Sequence, residues 1–268
     1  MGGRPRNSTP SPSGARPKSP IATNATPARA AVIASKLAER WPDVRVELDH
    51  QDAYQLLVAT ILAAQSTDKL INTVTPALFD KYPDPGALAQ ANQAELEPMI
   101  FKTGFFRMKA KHLIGLAQSI VREHGGQVPD TIEALCALPG VARKTANVVL
   151  GNALGKHVGI VVDTHVTRVS ARLGLTTNTD PVKIEQDLMA LIPQAGWTRF
   201  GNQMIHHGRY ICLAKAPDCE HCPLAPVCPS SLVGHAPLRG VDKPQVKPVP
   251  LAGARTPASR VAKPRPRS

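Results

Sequence analysis

"LPGVARKTANVV", residues 138–149, decides how this chain is read. Pro139 has no N–H and restricts the residue before it, so a helix ends there. Gly140 is free to take a positive φ. Arg143 and Lys144 then open the run "RKTANVVLGNA" (143–153), which carries helical spacing, and "TIEALCA" (131–137) does the same upstream. Residues 131–153 therefore read as helix, five-residue turn, helix. Leu138 and Val141 plug the turn into a core. The backbone N–H groups of the turn and of the second helix's start point one way, and that concavity suits an anion such as a phosphodiester. An ordinary helix–turn–helix corner has the same spacing, so both readings stand at this point.

Lys144 lies in the first turn of the second helix, and Asp163, in "VVDTH", follows nineteen residues later. A lysine amine must be neutral to attack anything, and only about one free lysine in a thousand is neutral near pH 7.4. Burial and the positive end of a helix dipole would raise that fraction. A nearby Asp163 would oppose them by stabilising the ammonium, yet it could accept the proton. On chemistry alone a solvated phosphate contact is the favoured role for Lys144. Asp163 ahead of an apolar helical run is a standard N-cap, which is compatible with a catalytic carboxylate.

The helical period extends outward from the hairpin. "ARAAVIASKLAERW" (28–41) places Val32, Ile33, Leu37 and Trp41 on roughly one face. "AYQLLVATILAAQS" (53–66) is apolar nearly all round and reads as a central buried helix. Residues 106–126, 164–174, 181–193 and 200–212 repeat apolar positions at three and four. "GIVV" (159–162) is the best strand candidate, short and isolated. The fold class is all-α, with no internal repeat.

The 268 residues carry a formal charge of +12, and its placement matters more than its size. Residues 1–30 hold five cations and no acid, residues 229–268 hold eight cations and Asp242, and the stretch between nets zero. The basic ends, rich in Pro and Ser, read as disordered, phosphate-seeking arms over 1–27 and 231–268. The N-terminal arm lacks acids, so an organellar transit segment stays open beside a plain arm, and no secretory signal is present. No apolar run is long enough to cross a bilayer, which leaves membrane functions aside.

Cys212, Cys219, Cys222 and Cys228 fall within 17 residues as C-x6-C-x2-C-x5-C. Without a secretory signal, four clustered thiols read as a metal site rather than as disulfides. Zinc sites prefer two short C-x2–4-C pairs, and here there is one; iron–sulfur clusters take more varied spacings. Both metals stay open on spacing. Cys136, alone in a helix, reads as a small buried hydrophobe.

Taken in order, "LPGVARKTANVVL", "VVDTH" and C-x6-C-x2-C-x5-C resemble the endonuclease III family, bifunctional DNA glycosylases with a helix-hairpin-helix and AP lyase activity. The resemblance covers about 28–230. It implies a [4Fe–4S] cluster on Cys212, Cys219, Cys222 and Cys228. It implies two helical domains flanking a DNA-binding cleft: a six-helix barrel over 46–156, containing the hairpin 131–153, and a cluster domain of 28–45 plus 157–230. It implies that Lys144 attacks C1′ of a nucleotide turned out of the stack, displaces an oxidised pyrimidine, forms a Schiff base and cuts 3′ to the lesion by β-elimination, with Asp163 taking the proton. The implied partner is double-stranded DNA with damaged pyrimidines or abasic sites, met by a monomer in the cytoplasm, at the nucleoid.

Other positions match the family's DNA contacts. Gln65 in "LAAQSTD" falls where the family fills the gap left by the flipped nucleotide. Phe105 in "KTGFFRMKAK" falls at the wedge, where leucine is common; core packing is the competing role. That stretch holds Lys102, Arg107, Lys109 and Lys111 without an acid, a local basic patch. Gly140, Ala142 and Arg143 lie on the hairpin turn, His165 and Arg168 follow Asp163, and Lys215 sits between the first two cysteines. Ala142 departs from the family's second glycine, which predicts somewhat weaker phosphate binding. An adenine-mismatch glycosylase of the same superfamily would lack the hairpin lysine and carry a glutamate in the second barrel helix, and 53–66 has none. A noncatalytic DNA-binding relative would not need both Lys144 and Asp163.

Overall fold

The computed structural model describes residues 24–233. Of the basic arms read over 1–27 and 231–268, only 24–27 and 231–233 are among these residues; Thr26 caps the first helix and Pro27 opens it, and the remaining arm residues lie outside the described ones. Eleven α-helices run in chain order among the described residues, which contain no strand. They are α1 Pro27–Arg40, α2 Ala53–Leu62, α3 Asp68–Lys81, α4 Pro85–Ala89, α5 Gln93–Ile100, α6 Phe106–His124, α7 Ile132–Ala137, α8 Arg143–Asn152, α9 Thr164–Arg172, α10 Pro181–Leu191 and α11 Trp197–Tyr210.

Most helices start where a side chain accepts from a first-turn N–H: Thr26, Asp52, Thr67, Asp84, Asn92, Thr131, Asp163 and Asp180. Each such cap contributes about 1 kcal/mol. α8 is different. Its N-cap is Ala142, whose methyl accepts nothing.

The apolar interior forms two clusters. One is enclosed by α2–α8 and centres on α2, where Leu56, Leu57, Val58, Ala59 and Leu62 are fully buried. Truncating one of those leucines to alanine costs about 2–5 kcal/mol. The other is built from α1, α9, α10 and α11, with Ile33, Leu37, Val166, Ile184, Leu188 and Met204 inside. The segment 159–162 runs extended between them. Its side chains alternate, Val161 into the first cluster and Ile160 and Val162 into the second. That explains a continuous apolar run without a sheet: the period of two is real, but both faces meet helices.

Helices α3, α4 and α5 come from 67–100, where the sequence reading assigns none. Pro76 and Pro98 stand inside helices, on exposed positions, and Pro85 opens α4. An interior proline costs about 3 kcal/mol, and the burial of Ile71, Val74 and Leu78 offsets it in α3. α2 ends at Leu62 rather than running to 66, because the chain turns at Gln65 with φ 59°. α11 begins three residues before 200.

Candidate active site

The hairpin forms as its sequence dictates. α7 ends at Ala137, Gly140 takes φ 78°, and α8 starts at Arg143. A Cβ at residue 140 would sit 3.0 Å from His112, so glycine is required by backbone and by space. Leu138 and Val141 are buried in the first cluster. With no capping side chain at 142, the first N–H groups of α8 face outward as a donor set for an anion.

Lys144 is exposed on the first turn of α8 and lines a cavity of about 540 Å³. Its side chain is open to solvent in the free protein. Asp163 lines the same cavity, as do Gln65 and His165. Asp163 Oδ1 accepts from the N–H groups of His165 (2.8 Å) and Val166 (2.9 Å). Its Oδ2 has no hydrogen-bond partner among the described residues. One oxygen thus caps α9 and the other is left for chemistry.

The far wall of the cavity carries groups that the sequence did not single out. Arg209 Nη1 donates to Asp68 Oδ2 (2.9 Å) and to Glu47 Oε2. Tyr210 donates to Glu47 Oε1 at 2.7 Å, and His206 lies 3.2 Å from that oxygen. Burial alone would raise Glu47, but the Tyr210 hydrogen bond and the charges of Arg209 and His206 hold its carboxyl below the usual range. Asn202 is buried beside them and donates to Asn152 Oδ1 at 2.7 Å. The available signal was the spacing of Asn202, His206 and Arg209 along one face of α11. Glu47 and Asp68 gave none, because their partner is far away in sequence.

Several expected DNA contacts are placed differently. Lys109 is 5% exposed, and its ammonium donates to Thr103 O (2.7 Å), Leu62 O (2.8 Å) and Ala64 O (2.9 Å). All three of its donors are used, so the expected phosphate contact is corrected to a structural lysine. Burial pulls its ammonium below the ordinary lysine range. Arg168 is also turned inward, to Gly208 O (2.6 Å) and Cys212 O (3.1 Å), and fastens α9 to the cysteine loop. Arg143 pairs with the buried Glu185. Arg107 and Lys215 are exposed. Phe105 is 68% exposed with φ 48°, so the core-packing role falls away. Gln65 and Phe105 are the two non-glycine residues with positive φ among those described.

Cys212, Cys219, Cys222 and Cys228 form no disulfide, and Cys212, Cys222 and Cys228 pack against the second apolar cluster. Burial pushes the Cys222 thiol up to about 11, and the neighbouring Cys212, Cys228 and Cys219 push the same way. Burial likewise raises Cys228. Arg172 donates to Cys212 Sγ at 3.1 Å and to Leu213 O at 2.7 Å. Arg29 Nη1 and His207 Nδ1 are buried without a hydrogen-bond partner among the described residues. Arg29 feels the charge of Cys228, and His207 Nε2 is 3.5 Å from Cys222 Sγ. No three His, Cys, Asp or Glu side chains among the described residues are arranged to hold a single metal ion. Cys136 is exposed on α7, not buried as its composition suggested. No helix among the described residues is long and apolar enough to cross a membrane.

Residues 58–194 match the family described as HhH-GPD superfamily base excision DNA repair protein. The chain is 54% identical over 203 residues to Endonuclease III of Synechocystis sp. (strain ATCC 27184 / PCC 6803 / Kazusa), spanning 76% of this chain and 93% of that protein. It is similar to the solved structure of a non-covalent Endonuclease III–DNA complex, with TM-score 0.73 and 39% identity over 77% of this chain and 96% of that one. A trapped Endonuclease III–DNA covalent intermediate gives the same TM-score and identity, over 77% of this chain and 97% of that one.

Proposed function

Because the chain belongs to the HhH-GPD superfamily of base excision DNA repair proteins, as a member of the endonuclease III family, we propose that Lys144 Nζ is the nucleophile of its glycosylase and AP lyase reaction and Asp163 the proton acceptor. The protein is a base-excision DNA glycosylase. The observation that carries the residue assignment is that Lys144 and Asp163, nineteen positions apart, line one cavity.

Lys144 is exposed in the free protein, so its desolvation comes from bound DNA closing the cavity. The Nζ lone pair forms a bond to C1′ as the glycosidic C1′–N bond breaks, and the base departs with that electron pair and takes up a proton. Asp163 Oδ2 accepts a proton from Nζ. Ring opening gives the imine between Nζ and C1′. Loss of a C2′ proton then expels the 3′ phosphate, and water releases the enzyme. Asp163 also offsets positive charge developing on the sugar.

Supporting groups follow the same reading. The uncapped start of α8 with Gly140 takes a phosphate, and the exposed Arg107 and Lys215 are further phosphate contacts. Gln65 fills the space of the flipped nucleotide, and Phe105 wedges the stack beside it. The barrel is 46–156 and the second domain is 28–45 with 157–230. The substrate is duplex DNA carrying oxidised pyrimidines or abasic sites, and the protein works as a monomer at the cytoplasmic nucleoid.

The cysteine loop fits a polynuclear iron–sulfur group held by four thiolates. Burial raises the Cys222 and Cys228 thiols, the partly buried Arg29 guanidinium interacts electrostatically with Cys228, and His207 Nε2 lies 3.5 Å from Cys222 Sγ. A single zinc ion would draw its sulfur ligands to about 2.3 Å, a convergence that these side chains do not offer. Cys212, Cys219, Cys222 and Cys228 would hold a [4Fe–4S] cluster. When bound it would cross-link the loop that Arg168 and Arg172 fasten.

The test is reductive trapping. Borohydride added to the protein and a duplex with an abasic site or an oxidised pyrimidine reduces the imine to a stable amine, giving a covalent adduct. Lys144→Ala abolishes the adduct and retains DNA binding. A variant that nicks as fast as the wild type would overturn the assignment.

A further inference from the structure

We infer that Lys109 is a positioning residue: its buried ammonium clamps together the two turns that carry Gln65 and Phe105, and so makes the gap-filling and wedging residues one rigid unit. The inference rests on the DNA roles proposed above for those two residues.

The geometry is specific. Leu62 and Ala64 close α2, and Gln65 follows directly. Thr103 ends the turn 101–103, and Gly104 (φ 69°) and Phe105 (φ 48°) follow directly. Lys109, one turn into α6, reaches carbonyls of both segments with its three donors. Among the described residues no carboxylate pairs with it; its charge is met by main-chain dipoles, including those at the negative end of α2. A buried cation held this way is a costly arrangement, and it is placed where two residues also pay for left-handed backbone. Strained conformations of that kind persist only where the surroundings over-determine them. The neighbouring Thr103 hydroxyl donates back to Ile100 O at 2.8 Å and stiffens the same turn.

A merely structural lysine would affect every substrate alike. A positioning lysine should matter only when a base pair has to be opened. The experiment compares Lys109→Met with wild type on an abasic site in single-stranded DNA and on a lesion in duplex DNA. The expected result is a loss of tenfold or more in kcat/KM on the duplex and less than twofold on the single strand. Equal loss on both substrates, or none on the duplex, overturns the inference. Phe105→Ala and Gln65→Ala, both on exposed residues, complete a cycle: adding Lys109→Met to the double variant should cost less than twofold more. An additive loss also overturns it. If Lys109→Met does not fold, NMR of the wild-type lysine ammonium groups decides. Lys109 should exchange its protons slowly with solvent, free and DNA-bound, and fast exchange in the free protein overturns the clamp. Trapping of the wild-type protein on duplex DNA with an oxidised pyrimidine tests the glycosylase and lyase reading separately, since it needs no variant of Lys109.

Discussion

Arg143 and Glu185 are joined by a two-point ion pair, 2.7 Å from Nε to Oε2 and 3.2 Å from Nη2 to Oε1. This fastens the residue beside the proposed nucleophile to α10, across the boundary between the two apolar clusters. Asn147, one turn further along α8, donates to Glu185 Oε1 at 2.7 Å. Gly159 leaves room for the group, since a Cβ there would lie 2.1 Å from Glu185 Oε1.

Glu185 is buried, so its loss strands Asn147 and releases Arg143. Glu185→Ala should cost about 2–3 kcal/mol, which is about 4–12 °C in Tm for a domain of this size. It should also lower the rate of trapping more than DNA affinity, because the start of α8 is no longer held against α10. Thermal unfolding and trapping kinetics check both. A variant as stable as wild type would show that the pair does not join the two halves.

The hairpin and its positive-φ glycine were legible because each is a local pattern whose chemistry constrains its neighbours, whereas Lys144 and Asp163, nineteen residues apart, read on chemistry alone as a phosphate contact and an N-cap and came together only through the resemblance. The three helices of 67–100 were not legible, because Pro76 and Pro98 break the local rule and the burial of distant partners outweighs them. Lys109 and Arg168 were misplaced for a related reason. In sequence each is one cation in a cationic or polar stretch, and only the fold reveals the carbonyls that hold it. The Glu47–Asp68–Arg209 group was invisible, since its members come from three separated segments.

Gln65 offers a test of stored strain. Its left-handed backbone, φ 59°, is natural for glycine and strained for glutamine. Gln65→Gly should leave stability unchanged or raise it by up to about 1 kcal/mol, while slowing base release from duplex DNA about tenfold or more. Denaturant midpoints and single-turnover rates separate the two effects. Loss of stability together with full activity would mean that the side chain serves the fold and not the DNA.

The cysteine loop makes an elemental prediction. The purified protein should contain iron and acid-labile sulfide in equal amounts, about four of each per chain. Cys136→Ala should leave both unchanged, because that thiol is exposed on α7. Cys222→Ser should deplete both and destabilise the loop after α11. Stoichiometric zinc in place of iron would overturn the cluster assignment.

Glu47 predicts an acid-sensitive element of the cavity wall. Its folded-state pKa is held down by Tyr210, Arg209 and His206 against the opposing effect of burial. The unfolded chain therefore takes up the proton first as pH falls, and each step downward favours unfolding. The contribution of Glu47 is fully present above its ordinary value, about 4.3, and is lost as pH drops through that value toward the depressed one. Glu47→Gln cannot titrate, and at pH 7 it leaves Arg209 paired with Asp68 alone, at a cost of about 1 kcal/mol. The difference in urea midpoint between wild type and Glu47→Gln should thus be largest at pH 6–7 and shrink as pH falls through about 4.3 and below. Comparing the two proteins at each pH cancels the titration of every group that they share. A difference that stays constant across that window would show that the Arg209 and Tyr210 contacts do not favour the ionised carboxylate.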